Sequence, residues 1–242
     1  MSDPLERRLC AVPTCTAMDI LRGDEPETLV FRGVRPLLPV RGSVAGRART
    51  LRFLPTRVDM KASPNGRPHF ELLDDVREGD VLVFDAMRGL GGAVLGDMLA
   101  LRAKTAGARA VVTDGNMRDL PGHAEVGLPI FASGTWPIPT ATTMAAWEKD
   151  VPIQCGGALV MPGDWILADV DAVLVLPQKL AERVAQAAPA ALEEEKFCRA
   201  LLARGHRLAN AFPMPAKLRP LYDEYRRTNT MPGFEQVVQA TS

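Results

Sequence analysis

Short aliphatic runs bounded by turn residues punctuate this chain. Val81–Phe84 in EGDVLVFDA is continuously apolar rather than alternating, the pattern of a strand covered on both faces, and Ala110–Thr113 in ARAVVTDG reads as a further strand. Between them, Gly89, Gly91, Gly92 and Gly96 predict a flexible loop. Leu95, Met98, Leu99, Ala103 and Ala106 then recur at helical spacing, and Gly107 is placed to end that helix. Strand, Gly-rich loop, helix and strand make a β-loop-α-β unit.

The flanks read less regularly. Residues 1–30 suggest a short helical lead-in closed by RGDEP, and residues 35–56 alternate apolar and polar positions with Gly42 and Gly46 as breakers, predicting two antiparallel strands. Asp59 to Pro68, with Asn65-Gly66, reads as loop. Leu128–Ser133 is a further strand. GDWILAD (Gly163–Asp169) repeats the pattern of GDVLVFD (Gly79–Asp85) and predicts a second turn-strand element in a similar environment. From Gln178 the text is helical, with Pro189 expected to break or kink it. The tail holding Tyr222 and Tyr225 is amphipathic and would pack on its own domain or on a neighbouring subunit. The fold class expected is α/β, a single domain over residues 1–242 with a C-terminal helical extension over about 178–242.

Composition narrows the function classes. Twenty-nine basic residues balance twenty-nine acidic ones, so no net field draws the chain to nucleic acid or an anionic membrane. Trp136, Trp147 and Trp165 show no stacking pattern with Arg or Lys. No apolar run approaches the ~18 residues of a membrane span. The four cysteines lack C-x-x-C or Cys/His metal spacing, and the start, MSDPLERRLC, is charged. The expectation is a reduced, cytoplasmic protein that binds neither nucleic acid nor membrane.

Two stretches could carry chemistry. Gly96-Asp97-Met98-Leu99 opens the helix after a strand, so its unpaired backbone N–H groups suit a carboxylate or phosphate. Alternatively, Gly96 only permits a tight entry and Asp97 caps the helix. The spacing is neither a dinucleotide fingerprint nor a P-loop. In AVVTDGNMRDL, Arg118 can offer a planar fork to a carboxylate and Asp119 a hard oxygen to a divalent cation, or the two form a surface ion pair. His123 either lines the same pocket or is a loop histidine without a role. His69 and His206 read as solvated, and Cys155 as a small buried residue. Lys104, on the crossover helix, is the lysine a Schiff-base aldolase would need.

The block GDMLALRAKTAGARAVVTDGNMRD, Gly96 to Asp119, resembles the signature of the 4-hydroxy-4-methyl-2-oxoglutarate aldolase family, which includes the RraA-like regulators of ribonuclease activity. VRGSVAGRARTLRF, LPIFAS and CGGALVMPGDWILADVDAVLVLP extend the similarity over roughly residues 35–200, with its most specific part in the signature region, 79–133. The resemblance implies an αββα-type sandwich assembled as homotrimers or homohexamers with the active site between subunits. It implies a lyase releasing pyruvate from a small 2-oxo acid through a metal-stabilised enolate, by aldol cleavage or oxaloacetate decarboxylation. By position, Asp97 is the acid after the helix-entry glycine, and the Met98 and Leu99 amides hold the substrate carboxylate. Arg118 contacts the carboxylate and keto oxygen, and Asp119 binds Mg²⁺ or Mn²⁺. A glutamate from an adjacent subunit corresponds to Glu193, Glu194 or Glu195, with Glu194 favoured. The family's Asp-Ala-Leu in the N-terminal helix is replaced by CTAMDIL around Asp19, which bears on how the substrate's distal half is held. Two other readings stand beside the lyase: a non-catalytic regulator binding a ribonuclease or another enzyme, and a lyase or dehydratase for a sugar-derived acid.

Overall fold

A computed structural model describes residues 3–23, 26–59, 67–88, 91–140 and 143–241. Gly89 and the Asn65-Gly66 pair lie outside the described residues. The elements in chain order begin with α1 (Pro4–Leu9), α2 (Thr14–Ile20), β1 (Arg35–Pro36), β2 (Val44–Pro55), α3 (Arg67–Asp74) and β3 (Asp80–Asp85). They continue with β4 (Ala93–Leu95), α4 (Asp97–Ala106), β5 (Ala110–Thr113), β6 (Asn116–Met117), α5 (Leu120–Val126), β7 (Ile130–Ala132) and β8 (Gly134–Thr135). Then come β9 (Met144–Lys149), β10 (Ile153–Cys155), β11 (Ala158–Val160), β12 (Trp165–Ala168), β13 (Val173–Leu176), α6 (Gln178–Ala203), α7 (Arg219–Thr228) and α8 (Phe234–Thr241).

The chain divides into two compact units, Met1–Ala185 and Gln186–Ser242. The first is a mixed α/β fold around a sheet ordered β1-β7-β5-β3-β2-β12-β13, with β9 also paired to β2. β2, β3, β5 and β7 are parallel to one another, and the crossover from β3 to β5 contains α4, as the β-loop-α-β reading requires. Along β3, Leu82 and Phe84 enter one core cluster while Val81 and Val83 enter another. Side chains of a strand alternate between faces, so an unbroken apolar run is what a sheet covered on both sides needs.

Between Arg35 and Thr56 the expected hairpin is absent. β1 pairs instead with β7. β2 is one long strand that takes β3 on one edge and, on the other, β12 near its start and β9 near its end. Gly46 does not break it. A Cβ there would stand 2.2 Å from the Gly79 carbonyl oxygen and 2.8 Å from Val81 Cγ2, so glycine serves the close approach of β2 to the Gly79 turn. Gly46→Ala is therefore expected to lower unfolding free energy by about 2–3 kcal/mol, since backbone cannot retreat as a side-chain tip can; denaturant unfolding of the variant checks it.

The repeated Gly-Asp pattern also has its reason in β2. Arg47 is in register with Asp80 of β3 on one side and Trp165 of β12 on the other, and Gly79 and Gly163 both turn with left-handed φ, 94° and 87°. Arg47 also stacks its guanidinium over the Trp165 ring, 4.1 Å from the centroid, a contact that sequence spacing did not suggest.

Other expectations are corrected. The lead-in is two helices, not one. α6 continues through Pro189 rather than ending there. In the second unit, Phe197 packs against Tyr222 and Tyr225 with ring centroids 5.3 and 5.2 Å apart, so both tyrosines are used in their own unit. His69 and His206 are buried, not solvated. His69 sits with Leu72 and Leu73 on the inward face of α3, and His206 stacks on Phe234 at 4.2 Å. Cys155 is buried, as expected. Among the described residues no helix is long and apolar enough to cross a membrane.

Candidate active site

A second, three-stranded parallel sheet, β4-β6-β8, sets up the site. Leu95 of β4 lies opposite Met117 of β6, and each strand runs directly into a helix, β4 through Gly96 into α4 and β6 through Arg118-Asp119 into α5. Adjacent parallel strands end on the same side, so the two strand-to-helix turns meet there. The Arg118 N–H donates to the Leu95 carbonyl at 3.2 Å. The two segments singled out from the sequence are thus neighbours.

Asp119 is the N-cap of α5 with φ 60° and ψ 42°, left-handed, yet its side chain makes no capping hydrogen bond. Left-handed backbone is uncommon for a residue bearing Cβ, though Asp tolerates it better than most. Here it frees the carboxylate to face Arg118, whose Nε lies 3.1 Å from Asp119 Oδ2, with both side chains about two-fifths exposed (40% and 43%). An ion pair so exposed adds little to stability. Gly96 makes room for it: a Cβ there would meet Asp119 Oδ2 at 2.5 Å and Arg118 Nε at 3.1 Å.

Asp97 opens α4 as its first helical residue, behind the N-cap Gly96. It does not cap the helix. Its Oδ1 accepts from the Met98 N–H at 2.7 Å, so that amide is already engaged and an incoming carboxylate must displace Asp97 or use the Leu99 N–H. Gly122 of α5 permits the packing, because a Cβ there would lie 2.2 Å from Asp97 Oδ2. Met98, expected on the buried face, is 73% exposed, whereas Ala100 and Ala103 are buried.

Gly96, Asp97, Met98, Leu99, Arg118 and Asp119 line one cavity of about 420 Å³, within the range of small-ligand sites. The same cavity is lined from α3, β2 and β9 by Phe53, His69, Phe70, Met144, Ala145 and Ala146, none of which the sequence tied to the site. Phe53 and Phe84 meet the His69 ring edge-on, with centroids 5.7 and 5.3 Å away, and Phe70 stacks on it at 6.2 Å. Burial pushes the imidazole pKa from 6.5 down to about 4.

That shift has a pH signature. Between about 6.5 and about 4 the unfolded chain holds a proton on His69 that the folded chain does not. The associated stability is complete above pH 6.5 and is lost as pH falls through that window, by about 3 kcal/mol. His69→Gln should flatten the pH dependence by that amount in denaturant titrations run from pH 7 to pH 4.

The remaining candidates fall elsewhere. His123 is not in a loop: it lies on α5 with its side chain fully buried beside the Leu95 and Arg118 backbone. Burial pushes its pKa down, against the pull of Asp97 and Asp119. Lys104 is exposed and donates to the Val126 carbonyl, not the buried setting an imine-forming lysine needs. Asp114, read only as a turn residue, is buried and accepts from the Ala86 N–H at 2.8 Å, and burial raises its pKa. Glu194 belongs to α6 in the second unit, where Arg219 Nη2 approaches its Oε2 at 3.2 Å. Asp19 pairs with Arg22 at 2.6 Å.

Among the described residues no three His, Cys, Asp or Glu side chains converge as a metal cage. One carboxylate on a cavity wall still fits Mg²⁺ or Mn²⁺, because Mg²⁺ is commonly held by one or two carboxylates, with waters and substrate completing its shell. Asp119, whose side chain makes no capping bond, and Asp97 are the carboxylates on the described lining that could serve.

The comparisons converge on one group of proteins. A family profile described as RraA-like, Aldolase/RraA, matches residues 14–175. A candidate 4-hydroxy-4-methyl-2-oxoglutarate aldolase from Halalkalibacterium halodurans is 33% identical over 183 residues, covering 73% of this chain and 78% of that protein. A 4-hydroxy-4-methyl-2-oxoglutarate aldolase from Thermus thermophilus is 33% identical over 138 residues, covering 57% of this chain and 78% of that one. The crystal structure of Streptomyces coelicolor RraAS2, described as an unusual member of the RNase ES inhibitor RraA protein family, superposes with a TM-score of 0.74 at 33% identity, covering 82% of this chain and 97% of that one.

Proposed function

Since the chain belongs to the RraA-like family, we propose that it is a divalent-metal-dependent carbon–carbon lyase that releases pyruvate from a small 2-oxo acid, of the 4-hydroxy-4-methyl-2-oxoglutarate aldolase and oxaloacetate decarboxylase type. The observation that carries this reading is the junction of the β4–α4 and β6–α5 turns, which puts Asp97, Arg118 and Asp119 around one cavity.

Mg²⁺ or Mn²⁺ held by Asp119 would supply Lewis-acid charge to the substrate's carboxylate and keto oxygens. Arg118 does the complementary work from the chain itself. Its guanidinium pairs with the carboxylate and places positive charge where the enolate oxygen develops, an interaction stronger in the transition state than with the neutral ketone. The Leu99 N–H, and the Met98 N–H once Asp97 releases it, orient the carboxylate at the start of α4. Asp97 Oδ2 takes the proton of the 4-hydroxyl through a water as the bond breaks. In the assembled trimer or hexamer, Glu194 of an adjacent subunit would exchange Arg219 for this water.

Decarboxylation has no hydroxyl to deprotonate, so the two activities should separate. Asp97→Asn is expected to slow aldol cleavage by about a hundredfold while leaving oxaloacetate decarboxylation within severalfold of wild type; parallel pyruvate assays on the two substrates read this.

The test of the function itself is pyruvate release by the intact protein from oxaloacetate and from 4-hydroxy-4-methyl-2-oxoglutarate, with Mg²⁺ and again with EDTA. Metal-dependent release supports the lyase. Release from neither substrate, with metal shown to bind, would point to another acid substrate, a different 2-oxo acid or a sugar-derived one. Absence of both release and metal binding favours the regulator, the reading suggested by the RNase-inhibitor description of the S. coelicolor structure.

A further inference from the structure

The cavity lining that β2, α3 and β9 contribute is built of different material from the turn of Arg118 and Asp119. Phe53, Phe70 and Met144 face the site from β2, α3 and β9, and Phe70 is 54% exposed, a large aromatic surface. His69 lines the same wall, is buried, and its Nε2 has no hydrogen-bond partner. Among the described lining residues Arg118 is the permanently charged cation, and it is already committed to the carboxylate and keto end. His69, with its pKa near 4, is neutral at physiological pH. A second carboxylate pressed against Phe53, Phe70 and Met144 would meet no counter-charge on them.

This step rests on the lyase reading above. We infer that the substrate is a 4-hydroxy-2-oxo acid whose C4 carries an uncharged apolar or aromatic group, seated against Phe53, His69, Phe70 and Met144, in place of a second carboxylate. The reaction balances without a co-reactant. The C3–C4 bond breaks, the 4-hydroxyl proton goes to the base, C3 takes up a proton, and the products are pyruvate and an aldehyde bearing the apolar group.

Calorimetric titration of the Mg²⁺-supplemented protein with two uncleavable probes, 2-oxo-4-phenylbutyrate and 2-oxoglutarate, tests this apart from turnover. The phenyl probe should bind tighter by about tenfold or more. Phe70→Ala, a substitution at a half-exposed position, should remove most of that preference, and a preference kept in full overturns the seat on this wall. Equal or tighter binding of 2-oxoglutarate to the wild type overturns the inference and leaves the lyase standing. Binding of neither probe, with Mg²⁺ shown to bind, overturns both.

Discussion

Asp119→Asn should cut pyruvate release by about a thousandfold, because a Lewis acid at the reacting oxygens contributes several kcal/mol to the transition state and each 1.36 kcal/mol is a factor of ten. Asn is the right replacement. It nearly matches Asp in shape and tolerates left-handed backbone, so the φ of 60° at this position is no obstacle. The pair it breaks, Arg118 to Asp119, is half-exposed and holds little of the fold together. Thermal unfolding should accordingly move by no more than about 0.5 kcal/mol while activity collapses. Mn²⁺ binding, followed by electron paramagnetic resonance, should weaken in step with turnover. A variant that binds Mn²⁺ as wild type does and still releases pyruvate would remove Asp119 from the metal site.

The parts of this site legible in the sequence are those set by local rules. β3 and β5 announce themselves as unbroken apolar runs, and α4 is bounded by Gly96 and by Gly107, whose φ of 109° is the left-handed stop that glycine at a helix C-terminus predicts. Given those three elements, the proximity of Gly96 to Arg118 follows from parallel strand ends. β4 and β6 were not read as strands, since Ala93–Leu95 and Asn116–Met117 are too short for a periodic signal.

What escaped the sequence is set by distant partners. Alternation in residues 35–56 is compatible with a hairpin or with one strand flanked on both edges, and only the presence of β3, β9 and β12 decides it. His69 looks solvated because it stands isolated, directly after a stretch that reads as loop. It is buried because α3 turns His69, Leu72 and Leu73 inward together, a spacing of three and four that could have been recognised had the segment been read as helix. Met98 and Leu99 fit the apolar stripe of α4, yet Met98 points away from the core, because the first turn of the helix belongs to the cavity. Gly122 carried one usable signal: a glycine just after Pro121, in the first turn of a helix, seldom serves helix formation and here clears space for Asp97.

Gly96→Ala distinguishes a glycine kept for the backbone from one kept for the chemistry. Its φ of −111° and ψ of −179° are open to any residue, so alanine brings no backbone strain. The atoms its Cβ would meet, Asp119 Oδ2 at 2.5 Å and Arg118 Nε at 3.1 Å, are both side-chain atoms on exposed groups that can swing aside. Stability should therefore hardly change, in contrast to Gly46→Ala, whose clash is with the fixed Gly79 backbone. Activity should fall by roughly two orders of magnitude, because Asp119 is pushed off position by about an ångström, and misplacement of that size costs on the order of a hundredfold. The losses at Asp119 and Arg118 will not simply add, since the two act on the same oxygens. Steady-state pyruvate assays beside denaturant unfolding of the same variant decide the matter. If Gly96→Ala loses stability and keeps its activity, the glycine serves the helix entry and the close approach of Arg118 and Asp119 is incidental.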